Sequence, residues 1–233
     1  MRLRRKKFLF SFLLLAIFAV SLFLIYKTNP LAVRNIIVTT DYDVNQNLKL
    51  EQILNKTRGQ NIFIVDEQKL ALQIKKTDIK IKEVKIEKQL LGKLLINISR
   101  RNPIAVVAFG KNYLLIDQDG LFFDMSSQAG NLPIASFNLS LQNFKVGSTI
   151  DKENKKALDI LVSLGGKEEV KSISVGQEDI QLELISGTII LFPKLADINA
   201  KVTALQVILS RFRIEGKRPV KIDLRFEKPV VMF

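Results

Sequence analysis

The sequence predicts an α+β chain in three parts: an N-terminal transmembrane helix, a small β-α-α-β-β domain and a larger β-rich domain with flanking helices. Three observations carry that reading. Phe8 to Tyr26 is apolar apart from Ser11 and Ser21. Between residues 31 and 102 the apolar pattern runs in the order strand, helix, helix, strand, strand. Beyond residue 103, short alternating runs separated by Gly and Asp turns outnumber two helical stripes.

The first part is read from length and charge. A helix crossing the hydrocarbon core needs about 20 apolar residues, and the run is 19 long. Such a helix satisfies its own backbone hydrogen bonds, which lipid cannot do. Arg2, Arg4, Arg5, Lys6 and Lys7 precede it with no acidic residue among them, which keeps that end cytoplasmic and sends the rest across. The expected division is a cytoplasmic tail at 1–7, a span at 8–26 and a linker at 27–30. Ala19-Val20-Ser21 also fits a signal-peptide cleavage site, but apolar residues continue through Ile25, which favours a retained anchor.

Composition narrows the function. The chain of 233 residues carries a net charge of +13, and beyond the tail 31 basic residues face 23 acidic ones. These charges are scattered, with no aromatic-rich basic stripe, so acidic envelope polymers or lipid headgroups fit better than nucleic acid. Cys, His and Trp are absent. No disulfide framework is therefore available, and the commonest general base and zinc ligand are missing. No nucleophile, base and oxyanion donor gather in the sequence, so no enzyme is expected, and no cofactor or metal.

In the first outer domain, 31–102, Ile36 and Val38 mark a strand. Asn47 is an N-cap for a helix with Leu50, Ile53 and Leu54 inward, which stops near Arg58-Gly59. Asp66 caps a second helix with Leu70, Ala71 and Ile74 inward. Ile81 to Lys88 and Lys93 to Arg100 alternate as strands around a turn at Leu91-Gly92. Both helices are too short to stand alone and should pack on one face of a small sheet.

In the second domain, 103–233, strands are expected at Ile104 to Phe109 and Tyr113 to Ile116. Asp117 to Gly120 is a turn, continued by Leu121-Phe122-Phe123 and later by Leu132-Pro133-Ile134. A helix from Asp151 to Leu164 ends at Gly165-Gly166. Strands follow at Val170 to Val175, Ile180 to Leu184 and Thr188 to Phe192. A last helix, Asp197 to Phe212, carries a stripe of Ile198, Val202, Leu205, Leu209 and Phe212. The chain closes on a strand from Val220 to Phe226 with Val220, Ile222, Leu224 and Phe226 on one face. Asp117, Asp119 and Asp124 resemble part of a calcium loop, but the Glu that closes such a loop is missing, and a hairpin turn explains them better.

Several local patterns, in order along the chain, resemble the FtsQ/DivIB family of bacterial cell-division proteins. They are Arg34-Asn35-Ile36-Ile37-Val38 after the anchor, Gly59-Gln60-Asn61-Ile62-Phe63 before Asp66, and the junction Arg100-Arg101-Asn102-Pro103-Ile104-Ala105. Asp117-Gln118-Asp119-Gly120-Leu121-Phe122, Leu132-Pro133 and Ile222-Asp223-Leu224-Arg225-Phe226 complete the set. Arg100 stands where the family usually has an acidic residue.

The resemblance implies a POTRA domain followed by an FtsQ-type β domain that ends in an exposed edge strand. It implies a non-enzymatic divisome scaffold at the septum, with the bitopic FtsB and FtsL proteins as partners and further contacts to septal wall-synthesis proteins. Carried onto this chain, the partner-binding end comprises Arg225, Phe226, Lys228, Val230, Val231 and Phe233. There an incoming strand would add to the edge, and Arg225 and Lys228 would meet acidic partner side chains. The rival expectation is a POTRA-bearing export or assembly protein that binds extended clients.

Overall fold

The computed structural model describes residue 15 and residues 17–20, 31–41, 47–137, 144–194 and 197–233. Leu15 and Ile17 to Val20 are helical and exposed. Among the described residues no helix is long and apolar enough to cross a membrane. Most of the predicted span, and the basic tail Arg2, Arg4, Arg5, Lys6 and Lys7, lie outside those residues. The chain divides into two compact units between Arg100 and Arg101.

The first unit contains β1 (Asn35–Thr40), α1 (Leu48–Thr57), α2 (Glu67–Lys75), β2 (Ile81–Gln89) and β3 (Lys93–Arg100). Its sheet order is β1-β3-β2, with β1 parallel and β2 antiparallel to β3. The helices start where the sequence supplies an acceptor. Asn47 Oδ1 accepts from the Leu50 N–H at 3.1 Å, and Asp66 Oδ1 accepts from the Lys69 N–H at 3.0 Å. Each satisfies one of the N–H groups that a helix start leaves without a partner. Leu94, Ile96 and Ile98, alternating on β3, form one core with Leu50, Leu70 and Ile74 from the helices.

The β2–β3 connection is a 3-10 turn, Leu90–Gly92, with Leu91 left-handed at φ 63° and ψ 31°. Gly92 is required there. Its φ is +72°, and a Cβ would lie 2.1 Å from the Ala32 carbonyl oxygen.

Among its described residues, the second unit holds nine strands in one mixed sheet and two helices. The strands are β4 (Pro103–Phe109), β5 (Asn112–Asp117), β6 (Phe122–Ser126), β7 (Ile134–Ser136), β8 (Val170–Val175), β9 (Asp179–Leu184), β10 (Ile189–Pro193), β11 (Lys221–Asp223) and β12 (Val230–Met232). Their order is β12-β11-β10-β9-β8-β7-β4-β5-β6. The helices α3 (Lys152–Leu164) and α4 (Ile198–Ile214) share one apolar core with the sheet. Asp151 caps α3 through the Asn154 N–H at 2.8 Å, and Asp197 caps α4. Gly165 ends α3 at φ 60°.

The acidic turn is structural. Asp117, almost fully buried, accepts from the N–H groups of Asp119 and Leu121, both at 3.0 Å, and its other oxygen bonds Arg101. Both carboxylate oxygens are thus occupied, and among the described residues no acidic group is arranged to hold a metal.

One prediction is corrected. The closing strand does not run from Val220 to Phe226. It shortens to Lys221–Asp223 and is not the sheet edge. Asp223 Oδ1 accepts from the Arg225 N–H at 3.0 Å, so a side chain competes with the ladder and turns the chain. Ile222 and Leu224 are buried as expected, while Val220 and Phe226 are exposed. The chain then returns as β12, antiparallel to β11, and β12 is the edge.

Candidate partner-binding edge

The edge is built from the core outward. Ile222 and Leu224 sit fully buried in the core of the second unit, which fixes β11 beside β10 in the parallel register Ile189 to Lys221, Ile190 to Ile222 and Leu191 to Asp223. After Leu224 the chain bends through Arg225 to Lys228, and Pro229 leads into β12. The register of β12 pairs Lys221 with Met232, Ile222 with Val231 and Asp223 with Val230.

Three ties hold the bend. Arg225 Nη2 and Nε bond Asp223 at 2.6 and 3.0 Å, and Arg225 Nη1 bonds Asp179 at 3.0 Å. Lys201 on α4 donates to the Phe226 carbonyl at 2.8 Å. The Arg225 guanidinium also lies 5.9 Å from the centre of the Phe226 ring. The electrostatics follow this geometry. The hydrogen bonds from Arg225 hold the Asp223 carboxyl below the usual carboxylate range, against the opposing pull of burial. Reciprocally, Asp223 raises the pKa of Arg225.

β12 itself is two-faced. Val231 packs against the core, whereas Val230 and Met232 point away and are exposed. Phe233 sets its ring edge-on to Phe212 of α4, centroids 5.2 Å apart at 86°, and still exposes most of its surface. Between α4 and β12 lies an open groove of about 440 Å³ lined by Ala204, Val207, Ile208, Phe212, Pro229 and Val231, with Arg211 at its margin.

The two ends of the nine-stranded sheet differ. At the β6 end the Phe122 N–H donates to Ser148 at 3.0 Å, the Phe122 carbonyl accepts from Gly147 at 2.7 Å, and Leu121 bridges Thr149. A passing loop therefore covers the start of that edge. On the outer side of β12 no strand pairs among the described residues.

Of the residues predicted from sequence, Val230 and Val231 lie on β12 and Phe233 directly follows it, while Arg225, Phe226 and Lys228 lie in the bend. Arg225 is engaged within the chain by Asp223 and Asp179. Met232, Asp179, Asp223, Lys201 and the outer face of α4 were not anticipated. Only the last left a signal: Ala204, Val207 and Ile208 form a second apolar run beside the inward stripe.

A small β-α-α-β-β domain followed by a mixed nine-stranded sheet with helices is the architecture of a POTRA domain joined to a β-rich domain. Residues 31–101 match the POTRA domain of FtsQ type, and residues 105–225 match the C-terminal domain of cell division protein FtsQ/DivIB. The chain belongs to the FtsQ/DivIB family, whose members are non-enzymatic cell-division proteins. The second match ends at residue 225, so β12 lies beyond it. No curated protein matches the chain.

Proposed function

We propose that this protein is a membrane-anchored divisome scaffold that recruits FtsB- and FtsL-like bitopic proteins by strand addition to β12, and through them links the septal wall-synthesis proteins. The observation that carries this reading is the unpaired β12 edge, with exposed Val230, Met232 and Phe233 on it or next to it and the α4 groove alongside. An added strand completes main-chain hydrogen bonds at such an edge, and neighbouring pockets select its side chains. The groove accepts apolar side chains from the same partner. In this reading Arg225 acts as a positioning residue that keeps the hairpin in register, Lys228, Val230, Phe226 and Phe233 face the partner, and Val231 contributes through the groove it lines.

The apolar run Phe8 to Tyr26 confines the outer domains to the membrane, with the basic tail Arg2 to Lys7 in the cytoplasm. Confinement raises the effective concentration for other anchored proteins. The test is cellular. A fluorescent fusion of the full chain should gather at midcell, its depletion should produce filaments, and deletion of Val230 to Phe233 should leave it at the membrane but fail to restore division. Normal division on depletion, with diffuse membrane signal, defeats the proposal.

A further inference from the structure

The first unit carries an exposed apolar cluster that its fold does not use, gathered where the chain arrives from the predicted anchor. Leu31 to Arg34 is the first described stretch beyond that span, and it is clamped on two sides. On one side the Val33 N–H donates to Gln60 and the Ile62 N–H donates to Leu31, both at 2.8 Å, and Ala32 bridges Asn61. On the other the Arg34 N–H donates to the Gly92 carbonyl at 2.8 Å. The turn after Asn61 and the β2–β3 tip therefore flank the entry point.

Both loops present large apolar side chains to solvent: Phe63 is 73% exposed, Ile64 80% and Leu91 88%. Their presentation is built in. Asn61 Oδ1 accepts from the Phe63 N–H at 3.0 Å and fixes that turn. Leu91 is the only non-glycine residue with positive φ among the described residues. A left-handed leucine in solvent is unfavourable on both counts, and glycine or asparagine would fold more easily there. A local choice that works against folding points to a use outside folding.

The surrounding charge is basic. Lys88 and Lys93 stand on either side of the tip, and Lys56 and Lys69 line the groove that Ile64 borders. The acidic groups nearby are Glu67, which pairs with Lys88 at 3.7 Å, Asp66, which caps α2, and Glu87 on β2. From Tyr26 to Leu31 the chain spans at most roughly 17 Å. The headgroup layer is on the order of 5–8 Å deep. An anchored chain therefore holds both loops at or near the headgroups.

We propose that this end of the first unit is a lipid-contacting surface: Phe63, Ile64 and Leu91 enter the interface of an anionic bilayer, and Lys88 and Lys93 meet its headgroups. It rests on the anchor reading above. Apolar tips ringed by lysine bind such surfaces by combining buried apolar area with attraction to anionic lipid.

The chain has no cysteine, so single sites can be labelled in the full-length protein. Phe63→Cys, Leu91→Cys, Ser99→Cys and Leu22→Cys, each carrying an environment-sensitive dye, are reconstituted in vesicles of phosphatidylcholine with or without phosphatidylglycerol and exposed to lipid-borne quenchers. The proposal expects several-fold stronger quenching at 63 and 91 than at 99, the distant end of β3, and more in anionic vesicles, a difference that K88E with K93E abolishes. Quenching at 22 with none at 63 and 91 overturns it and leaves the anchor standing. Absence of quenching at 22 overturns both. A blue-shifted dye at 91 without lipid quenching means that protein, such as a second copy, covers the tip, and overturns it too.

Discussion

Deleting Val230 to Phe233 should separate folding from binding, because the terms that hold β12 nearly cancel. The deletion removes a three-residue ladder with β11 and the bond from the Val220 N–H to the Met232 carbonyl at 2.8 Å. At about 1 kcal/mol net per hydrogen bond, roughly three bonds contribute ~3 kcal/mol. Partial burial of Val231 adds about 1 kcal/mol. The edge-on pair of Phe233 and Phe212 adds about 1 kcal/mol more. Against this, ordering the four backbone units costs about 1–1.5 kcal/mol each, or roughly 4–6 kcal/mol. The balance lies within about 1 kcal/mol of zero, so the melting temperature of the truncated protein should stay within about 5 °C of the full chain. Binding has no such compensation. Losing about three interchain hydrogen bonds weakens an FtsB/FtsL-like pair by about 100-fold or more. Calorimetric melts and a fluorescence titration of that pair against the full chain in nanodiscs measure the two quantities. Affinity within about threefold of the intact protein refutes strand addition at β12. A melting shift above roughly 10 °C refutes the ledger and makes β12 integral to the fold.

Three further outcomes follow from single residues. Leu91→Asn relieves a left-handed leucine and should stabilise the first unit by about 0.5–1 kcal/mol while lowering its lipid contact, seen as a higher melting temperature with weaker vesicle quenching. Gly92→Ala forces a Cβ onto the Ala32 carbonyl at positive φ and should cost more than about 2 kcal/mol, read from urea denaturation. Asp223→Asn should lower the melting temperature at pH 7 and matter less in acid. The folded carboxyl titrates below its unfolded value, so its contribution is complete above the unfolded pKa of about 3.9 and fades as pH falls through the lower folded value. Melts of the two proteins should therefore draw together as the pH falls below the unfolded value, and a gap that widens in acid overturns the assignment.

The sequence announced those elements whose signals are local. All four described helix starts use the acceptor nearest in sequence, Asn47, Asp66, Asp151 and Asp197, and the alternation Leu94, Ile96, Ile98 identifies the buried face of β3. What escaped depends on distance or brevity. β12 is three residues long and follows a proline, too short for alternation to register. The early end of β11 is set by the Asp223 side chain, whose choice between ladder and turn no apolar pattern records. The tie between Arg225 and Asp179 spans 46 residues, so no local pattern announces it. For the candidate edge, the resemblance supplied Val230, Val231 and Phe233, and only the fold exposed the groove against α4.

The brevity of β12 has a functional logic. A long, flat, apolar edge would invite pairing with further copies of the chain. Here the edge offers three residues, preceded by Lys228 and Pro229, a charge and a residue that cannot donate to a ladder. Such an edge is poor at self-association. The same brevity limits what a true partner gains: about 3 kcal/mol from main-chain bonds is weaker than the roughly 4 kcal/mol that defines a millimolar contact. Two additions lift it. Apolar side chains of the partner can fill the groove between α4 and β12, and anchoring both proteins in one membrane supplies an effective concentration in the millimolar range. Under the proposed function, strand addition at β12 becomes useful only for a partner held in the same bilayer, so the proposed anchor would be part of the specificity.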